Sequence, residues 1–384
     1  MKKKLLLFAL MCFPAVLMAQ QDDPKDEIEA DGPWLSRLEI ETRFGWNMNR
    51  YGGINQEGTG FRGEFVSLRL EGKIYKGLTY SWKQRLNKNT SQTFWDATDW
   101  LEIKYTPNDY VAISAGKQVV AIGGWEYDRS PIDLYLSSEY WQYINCYQLG
   151  FSIAVNASRN DRLVFQLCNS PMRTYIGDNS TVGLSLMWYG KHDWYHSIFS
   201  ANAFQTTGGR WINYLCFGNK FLFSKNAFLE LDYVNRASSN QSFWFKDCTV
   251  AAEASVKPHS TVRLFGKYTF DTNDTDTDAD VYVESGTRLH TASMGVEYSP
   301  IRKYPDALRL HAAGGYVWGR MAPQEKSAHP FSGLHNDCVK LYIGAKVNLD
   351  VLHGIKHIIK KAADKRIAKA LGRDSLDINY VNLQ

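Results

Sequence analysis

Val66-Ser67-Leu68-Arg69-Leu70-Glu71-Gly72-Lys73-Ile74 puts an apolar residue or glycine at every even position and a polar or charged residue at every odd one. A period of two belongs to a strand with one apolar and one polar face. The pattern returns near the other end of the chain. There Val339, Leu341, Ile343, Ala345, Val347 and Leu349 interleave with Lys340, Tyr342, Gly344, Lys346 and Asn348. Sixteen such segments are found between and around these two: 35–47, 62–74, 77–87, 97–106, 110–120, 146–157, 161–169, 181–190, 194–205, 210–223, 226–236, 244–257, 260–271, 287–299, 306–319 and 337–350. In the ninth and tenth, apolar residues occur at both parities.

The connections alternate in length. Tyr75-Lys76-Gly77, Pro107-Asn108-Asp109, 158–160, 191–193, Ser224-Lys225, Pro258-His259 and 300–305 are short and turn-like, whereas 48–61, 121–145, 170–180, 237–243, 272–286 and 320–336 are long. A soluble sandwich also alternates, but its strands are commonly shorter and its turns need not alternate in length. A membrane barrel requires roughly 9–11 residues per crossing, an even strand count, short turns on one side and long loops on the other. The expected fold is therefore all-β: a 16-stranded antiparallel transmembrane β-barrel with short periplasmic turns, long external loops and a C-terminal amphipathic helix.

The N-terminus supports this address. Lys2, Lys3 and Lys4 precede an apolar run from Leu5 to Met18, with Ala19 as the small residue at the cut, the three parts of a secretory signal peptide. Residues 20–33 are acidic and read as a periplasmic lead-in, 34–352 as the barrel, and 353–384 as a periplasmic tail. In the tail Ile355, Ile358, Ile359, Ala362, Ile367, Ala370 and Leu371 recur at helical spacing opposite a lysine-rich face. Such a helix suits an anionic membrane surface, or alternatively covers the periplasmic mouth. Aromatic residues make up 14% of the chain. Trp46, Tyr75, Tyr105, Tyr110, Trp188, Trp194, Trp211, Tyr298 and Trp318 fall near strand ends, where aromatic girdles meet the membrane interfaces. Of the cysteines after the signal, Cys146 and Cys168 lie on neighbouring strands but out of register across a hairpin centred near Asn160, so no disulfide is expected.

Parity sorts the strand charges. The cations on the polar face are Arg37, Arg43, Arg69, Lys73, Lys83, Arg85, Lys104, Arg162, Lys257, Arg263, Lys267, Arg309, Lys340 and Lys346; the anions are Glu39, Glu41, Glu71, Glu102, Glu230, Asp232, Glu253, Glu297 and Asp350. Cations outnumber anions, most clearly in the first four strands, which suggests a basic wall and a weak preference for anions. Pairs that merely neutralise one another are the alternative.

The connection 121–145 is the longest. It carries Trp125, Glu126, Tyr127, Asp128, Arg129, Asp133, Tyr135, Glu139, Tyr140 and Trp141. Aromatics with paired charges suit a packed constriction, and an outward lid is the alternative. Gly123 and Gly124 permit a sharp turn off the fifth strand, and Pro131 discourages that strand from continuing.

This region also carries a family resemblance. Gly116-Lys117-Gln118, then Gly123-Gly124-Trp125-Glu126-Tyr127 and Ser130-Pro131-Ile132-Asp133, resembles the phosphate-selective porin O/P family as found in Bacteroidetes. The resemblance implies a 16-stranded porin, a homotrimer, and a third loop folded into the lumen to set the pore diameter. It does not establish phosphate as cargo. One departure is that this chain continues past Asp350, whereas many bacterial barrels end on their last strand with an aromatic.

The expected partners are outer-membrane lipids and small hydrophilic solutes, anions among them, with no cofactor and no metal. The acidic stretch Asp271 to Asp280 lacks the glycine and glutamate of an EF-hand loop and reads as a solvated external loop; His353 and His357 lack a third ligand. The histidines are scattered without a nucleophile motif, so no enzyme is expected. A nucleic-acid role has no motif and only +4 net charge behind it. A plugged, non-conducting barrel serving binding or assembly is the second reading of the same pattern.

Overall fold

Sixteen strands close into one antiparallel barrel in the computed structural model of the chain, which describes residues 34–51, 54–55, 59–87, 93–172, 181–206, 210–238, 244–275, 283–322 and 337–355. They are β1 (Arg37–Tyr51), β2 (Gly60–Tyr75), β3 (Leu78–Arg85), β4 (Thr98–Tyr105), β5 (Val111–Val119), β6 (Tyr147–Asn156), β7 (Asp161–Asn169) and β8 (Val182–His192). The second half holds β9 (Tyr195–Gln205), β10 (Trp211–Ser224), β11 (Ala227–Ser238), β12 (Asp247–His259), β13 (Val262–Asn273), β14 (Arg288–Tyr298), β15 (Leu308–Arg320) and β16 (Cys338–Asp350). Each strand pairs with its sequence neighbours, and β16 returns to β1 with Glu39 opposite Asp350 and Asn49 opposite Lys340. The proposed signal peptide, the acidic lead-in and the tail beyond residue 355 lie outside the described residues.

The faces are those of a membrane barrel rather than a soluble one. Phe44, Ile103, Leu149, Phe151, Leu167, Leu184, Met294, Leu310 and Ile343 are exposed, while Ser67, Lys83, Gln118, Gln148, Ser152, Gln166 and Ser185 are buried. That inversion fits lipid outside and a polar lumen inside. Trp34, Tyr75, Tyr105, Tyr110, Trp194 and Tyr298 are exposed at the short-turn end. Phe61, Trp95, Trp244, Phe245, Tyr268 and Tyr316 are exposed at the long-loop end. Two aromatic belts result.

Boundaries differ from the sequence reading at two hairpins. β1 runs to Tyr51, and residues 54–55 pair back on Arg50 and Tyr51, so the ladder climbs into the first external connection. Pro258 does not end β12. The register shifts between Val256 and His259, which frees Pro258 from donating to the ladder, and the turn falls on residues 260–261.

β9 and β10 have a physical reason for being apolar on both faces. Their inward side chains Ile198, Phe204, Ile212, Tyr214 and Cys216 are buried; Phe204, Ile212, Tyr214 and Cys216 belong to a core with Val120, Ile122 and Tyr140, inside the lumen. Cys146, Cys168, Cys216, Cys248 and Cys338 are free thiols, and Gly150 rather than Cys146 stands opposite Cys168.

An arginine placed on the lipid face near mid-strand should cost about 2–4 kcal/mol, and one on the lumen face far less. Met294→Arg is therefore expected to lower unfolding stability in liposomes by that amount, with Ser114→Arg, on the inner face of β5, changing it little. Equal losses would show that the two faces are misassigned.

Candidate functional site

The third external loop leaves β5 inward and is stitched to the wall from its first residue. The Val120 amide donates to the Cys146 carbonyl at 2.8 Å, which joins the two legs of the loop. The Ala121 amide donates to Gln166 Oε1 at 2.7 Å on β7, and Asn202 Nδ2 on β9 donates to the Ala121 carbonyl at 2.7 Å. The Gly123 amide donates to Ser200 Oγ at 2.8 Å. The loop thus turns at Val120, ahead of the glycines, whose task is close approach. A Cβ on Gly123 would lie 2.7 Å from the Ile198 carbonyl oxygen, one on Gly218 would lie 2.8 Å from Gly124 Cα, and Gly124 has φ +113°.

Two wall carboxylates then anchor the loop's helices. A first short helix, α1 (Phe94–Ala97), belongs to the second loop. In the third loop α2 (Trp125–Asp128) starts with the Trp125 and Glu126 amides donating to Asp232 of β11 at 2.9 and 2.7 Å. A 3₁₀ turn, Pro131–Asp133, follows. In α3 (Glu139–Tyr143) the Glu139 and Tyr140 amides donate to Asp271 of β13 at 2.9 and 3.3 Å. Amides at a helix start lack intrahelical partners, and a carboxylate there satisfies them and meets the positive end of the local dipole. Asp271 also accepts from Thr249 Oγ1 at 2.6 Å. Arg236, fully buried, pairs with Asp247 at 2.7 Å and lies 5.1 Å over the Tyr140 ring.

Ion pairs fasten the remainder. Glu126 meets Lys267 at 2.5 Å and accepts from Ser138 Oγ at 2.5 Å, tying both ends of the loop to one lysine. Arg129 forks between Glu230 and Glu253, each at 2.5 Å. Glu253 and Glu297 share Arg263, and Glu297 accepts from the Tyr135 hydroxyl at 2.8 Å. Asp133 pairs with Arg309 and, at 2.8 Å, with Lys346. Burial pushes the Asp133 carboxyl up, but those two cations outweigh it and hold it below the ordinary aspartate range. Arg43 of β1 donates to the Ile132 and Leu134 carbonyls at 2.8 and 2.6 Å and pairs with Glu64. The Tyr189 hydroxyl donates to Asp128 at 3.3 Å, and Lys220 lies 4.9 Å over the Trp125 ring. Tyr127 is buried and donates to the Val120 carbonyl at 3.1 Å.

Twelve of the fourteen basic positions that parity singles out, all but Arg162 and Lys257, separate by what they hold. Arg43, Lys267, Arg309 and Lys346 hold the loop directly, and Arg263 braces the glutamates that do. Around β1–β4, Arg37 pairs with Glu39 and Glu71 at 3.3 Å, Arg69 with Glu71 at 2.5 Å, Lys83 with Glu41 at 2.6 Å and Arg85 with Asp99 at 2.9 Å. Arg69 and Lys83 also flank Trp100, at 5.5 and 5.1 Å. Lys73 and Lys104 stand in register with Thr79 in the same wall, and Lys340 stands opposite Gly315.

Several charged groups escaped the sequence reading. Glu64 is brought inward by the bulge of β2 opposite Arg43 and Phe44, and Asp99 by the register shift between Lys83 and Gln84. Lys220 and Arg236 share the parity of Glu230 and Asp232, and that parity would have found them. Asp271 was read as the start of the acidic external loop. It is instead buried in the lumen, while residues 276–282 lie outside the described residues.

A closed sixteen-strand barrel with a polar lumen, aromatic belts and an inward third loop is the architecture of the outer-membrane porins. Residues 38–194, covering the first eight strands, match the family model for phosphate-selective porin O and P, which bears out the resemblance drawn from the 116–133 motifs. Among solved structures the chain is similar to the anion-selective porin from Comamonas acidovorans (TM-score 0.61, 9% identity, 81% of this chain and 98% of that one). It is also similar to the trimer form of Vibrio cholerae OmpT (0.54, 11%, 81% and 98%) and to a mutant Rh. blastica porin (0.51, 13%, 81% and 99%). At these identities the likeness is one of fold. No curated protein matches the chain.

If Asp271 holds α3, Asp271→Ala should weaken loop docking by about 1–3 kcal/mol, the cost of stranding buried donors. Hydrogen exchange at the Glu139 and Tyr140 amides should then quicken while the barrel still shifts on a gel after heating. Unchanged exchange would remove Asp271 from that role.

Proposed function

We propose that small hydrophilic solutes diffuse through the space the third loop leaves open, that this loop sets the constriction, and that the passage weakly prefers anions. The basic residues on the wall that the loop leaves uncovered carry the reading. Glu126, Asp133 and Glu139 come with the loop, which leans on β7, β9, β11–β16 and β1. Arg37, Arg69, Lys73, Lys83, Arg85 and Lys104 stand on β1–β4, the wall away from the loop, interleaved with Glu39, Glu41, Glu71, Asp99 and Glu102. A total count supports the preference less well, because Glu64, Asp99, Asp247 and Asp271 add four anions to the wall against the two added cations Lys220 and Arg236. An assembly into trimers is supported by the trimeric form of the Vibrio protein. An apolar groove of about 920 Å³ on the lipid face, lined by small residues such as Gly63, Ala312 and Ala345, would let a second copy approach closely.

Replacing Arg69, Lys83 and Arg85 by glutamine would leave Glu41 and Asp99 without their paired cations and Glu71 with Arg37 alone. The triple variant should swing from chloride to potassium preference, read as a change of sign in the reversal potential across a salt gradient. A reversal potential that does not move would sink the basic-wall reading.

A plugged barrel is the second reading, favoured by the bonds from Arg43 that reach the loop tip from β1. In planar bilayers the intact chain should give stepwise conductance, and deletion of 126–142 should enlarge the steps. Steps that appear only after the deletion would establish the plug instead.

A further inference from the structure

Arg288 of β14 and Arg320 of β15 stand directly opposite one another across the ladder at the long-loop end. Inward residues on these strands are odd-numbered, among them the buried Leu289, Thr291 and Val317. Both arginines therefore sit on the outer face, and both are exposed. Like charges directly opposite on one sheet face repel. Among the described residues no carboxylate pairs with either; Arg320 Nε donates to the Gly286 carbonyl at 3.1 Å. A cavity of about 480 Å³ opens around them, and Asp274, which also lines it, lies 3.7 Å from Lys246.

An aromatic platform begins next to this cationic mouth. The His290 ring stacks on Trp318 with centroids 5.2 Å apart and planes within 10°, and on Phe270 at 4.6 Å. Tyr268 fixes the imidazole through a 2.7 Å hydroxyl contact to Nδ1. Strands β13–β15 thus present, from the extracellular rim downward, two forked cations and then flat apolar rings. This is the order in which a lipid of the outer leaflet presents its phosphate, sugar and acyl chains.

We propose that Arg288 and Arg320 form a binding site for the phosphorylated head group of an outer-leaflet glycolipid, with Trp318 and His290 beneath its sugar. Two guanidinium forks match phosphate oxygens bidentately, and a shared dianion turns their repulsion into attraction. The site lies outside the lumen, so it is independent of solute passage.

The test uses the full chain, stripped of lipid in detergent and titrated with bisphosphorylated lipid A in native mass spectrometry. Replacing both arginines (R288A with R320A) should weaken binding at least about tenfold, from the loss of two charge-assisted contacts. R288Q with R320Q should match it if the alanine pair folds poorly, and R288K with R320K should fall in between. Gel mobility after heating and single-channel conductance should not move. Wild-type affinity in the neutralised variants would overturn the proposal, as would equal binding of dephosphorylated lipid A. Inorganic phosphate competing as tightly as the lipid would make this a free-anion site and overturn the lipid assignment.

Discussion

Every backbone group at membrane depth needs a partner inside the protein, and the β1–β16 seam is where this chain meets that demand. Without it two strand edges would face lipid, each unsatisfied group costing several kcal/mol. The seam is closely packed. Gly45 stands opposite Gly344, and a Cβ on either would fall 2.3 Å from a facing carbonyl oxygen. Arg43 and Lys346 are also opposite one another there, yet they do not repel unopposed: Glu64 neutralises the first and Asp133 the second. Closure of the wall and docking of the loop therefore share residues.

The same rule governs the loop. Irregular backbone in a lumen has no neighbouring strand to pair with, so side chains must supply the hydrogen-bond partners. Asp232 and Asp271 do this for the two helix starts, and Gln166 and Asn202 do it for the outgoing leg. Acids in the wall thus have a structural use that parity alone cannot distinguish from lining a pore. Removing either partner of such a buried contact strands the other, which is why these groups come in connected sets.

The architecture was legible in the sequence because alternation and loop length are both one-dimensional. All sixteen strands were located, and the inner faces followed from parity where strands are regular. Legibility failed where the ladder is not regular: the bulge in β2 turns Glu64 inward, and the shift before Asp99 does the same. It also failed where the lumen is not wet. β9 and β10 confuse a rule that equates apolar with outward, since Ile198, Phe204 and Tyr214 are buried against the loop side of the barrel. Pairing partners were invisible for a different reason. Arg129 and Glu230 lie far apart in sequence, and only the loop's path brings them together.

That path makes the lumen asymmetric. On the β7–β11 side the loop and wall share a buried apolar core of Ile122, Tyr140, Phe204 and Tyr214. On the β1–β4 side the charged groups remain in a polar row with Trp100 between Arg69 and Lys83. A weak preference can then arise in a nearly neutral lumen. On the proposed reading a passing ion meets Arg37, Arg69, Lys83 and Arg85 together with Glu71, Glu41 and Asp99, the carboxylates that pair with them on the same wall. Selectivity on that reading depends on where the loop lies, which sequence composition alone does not record.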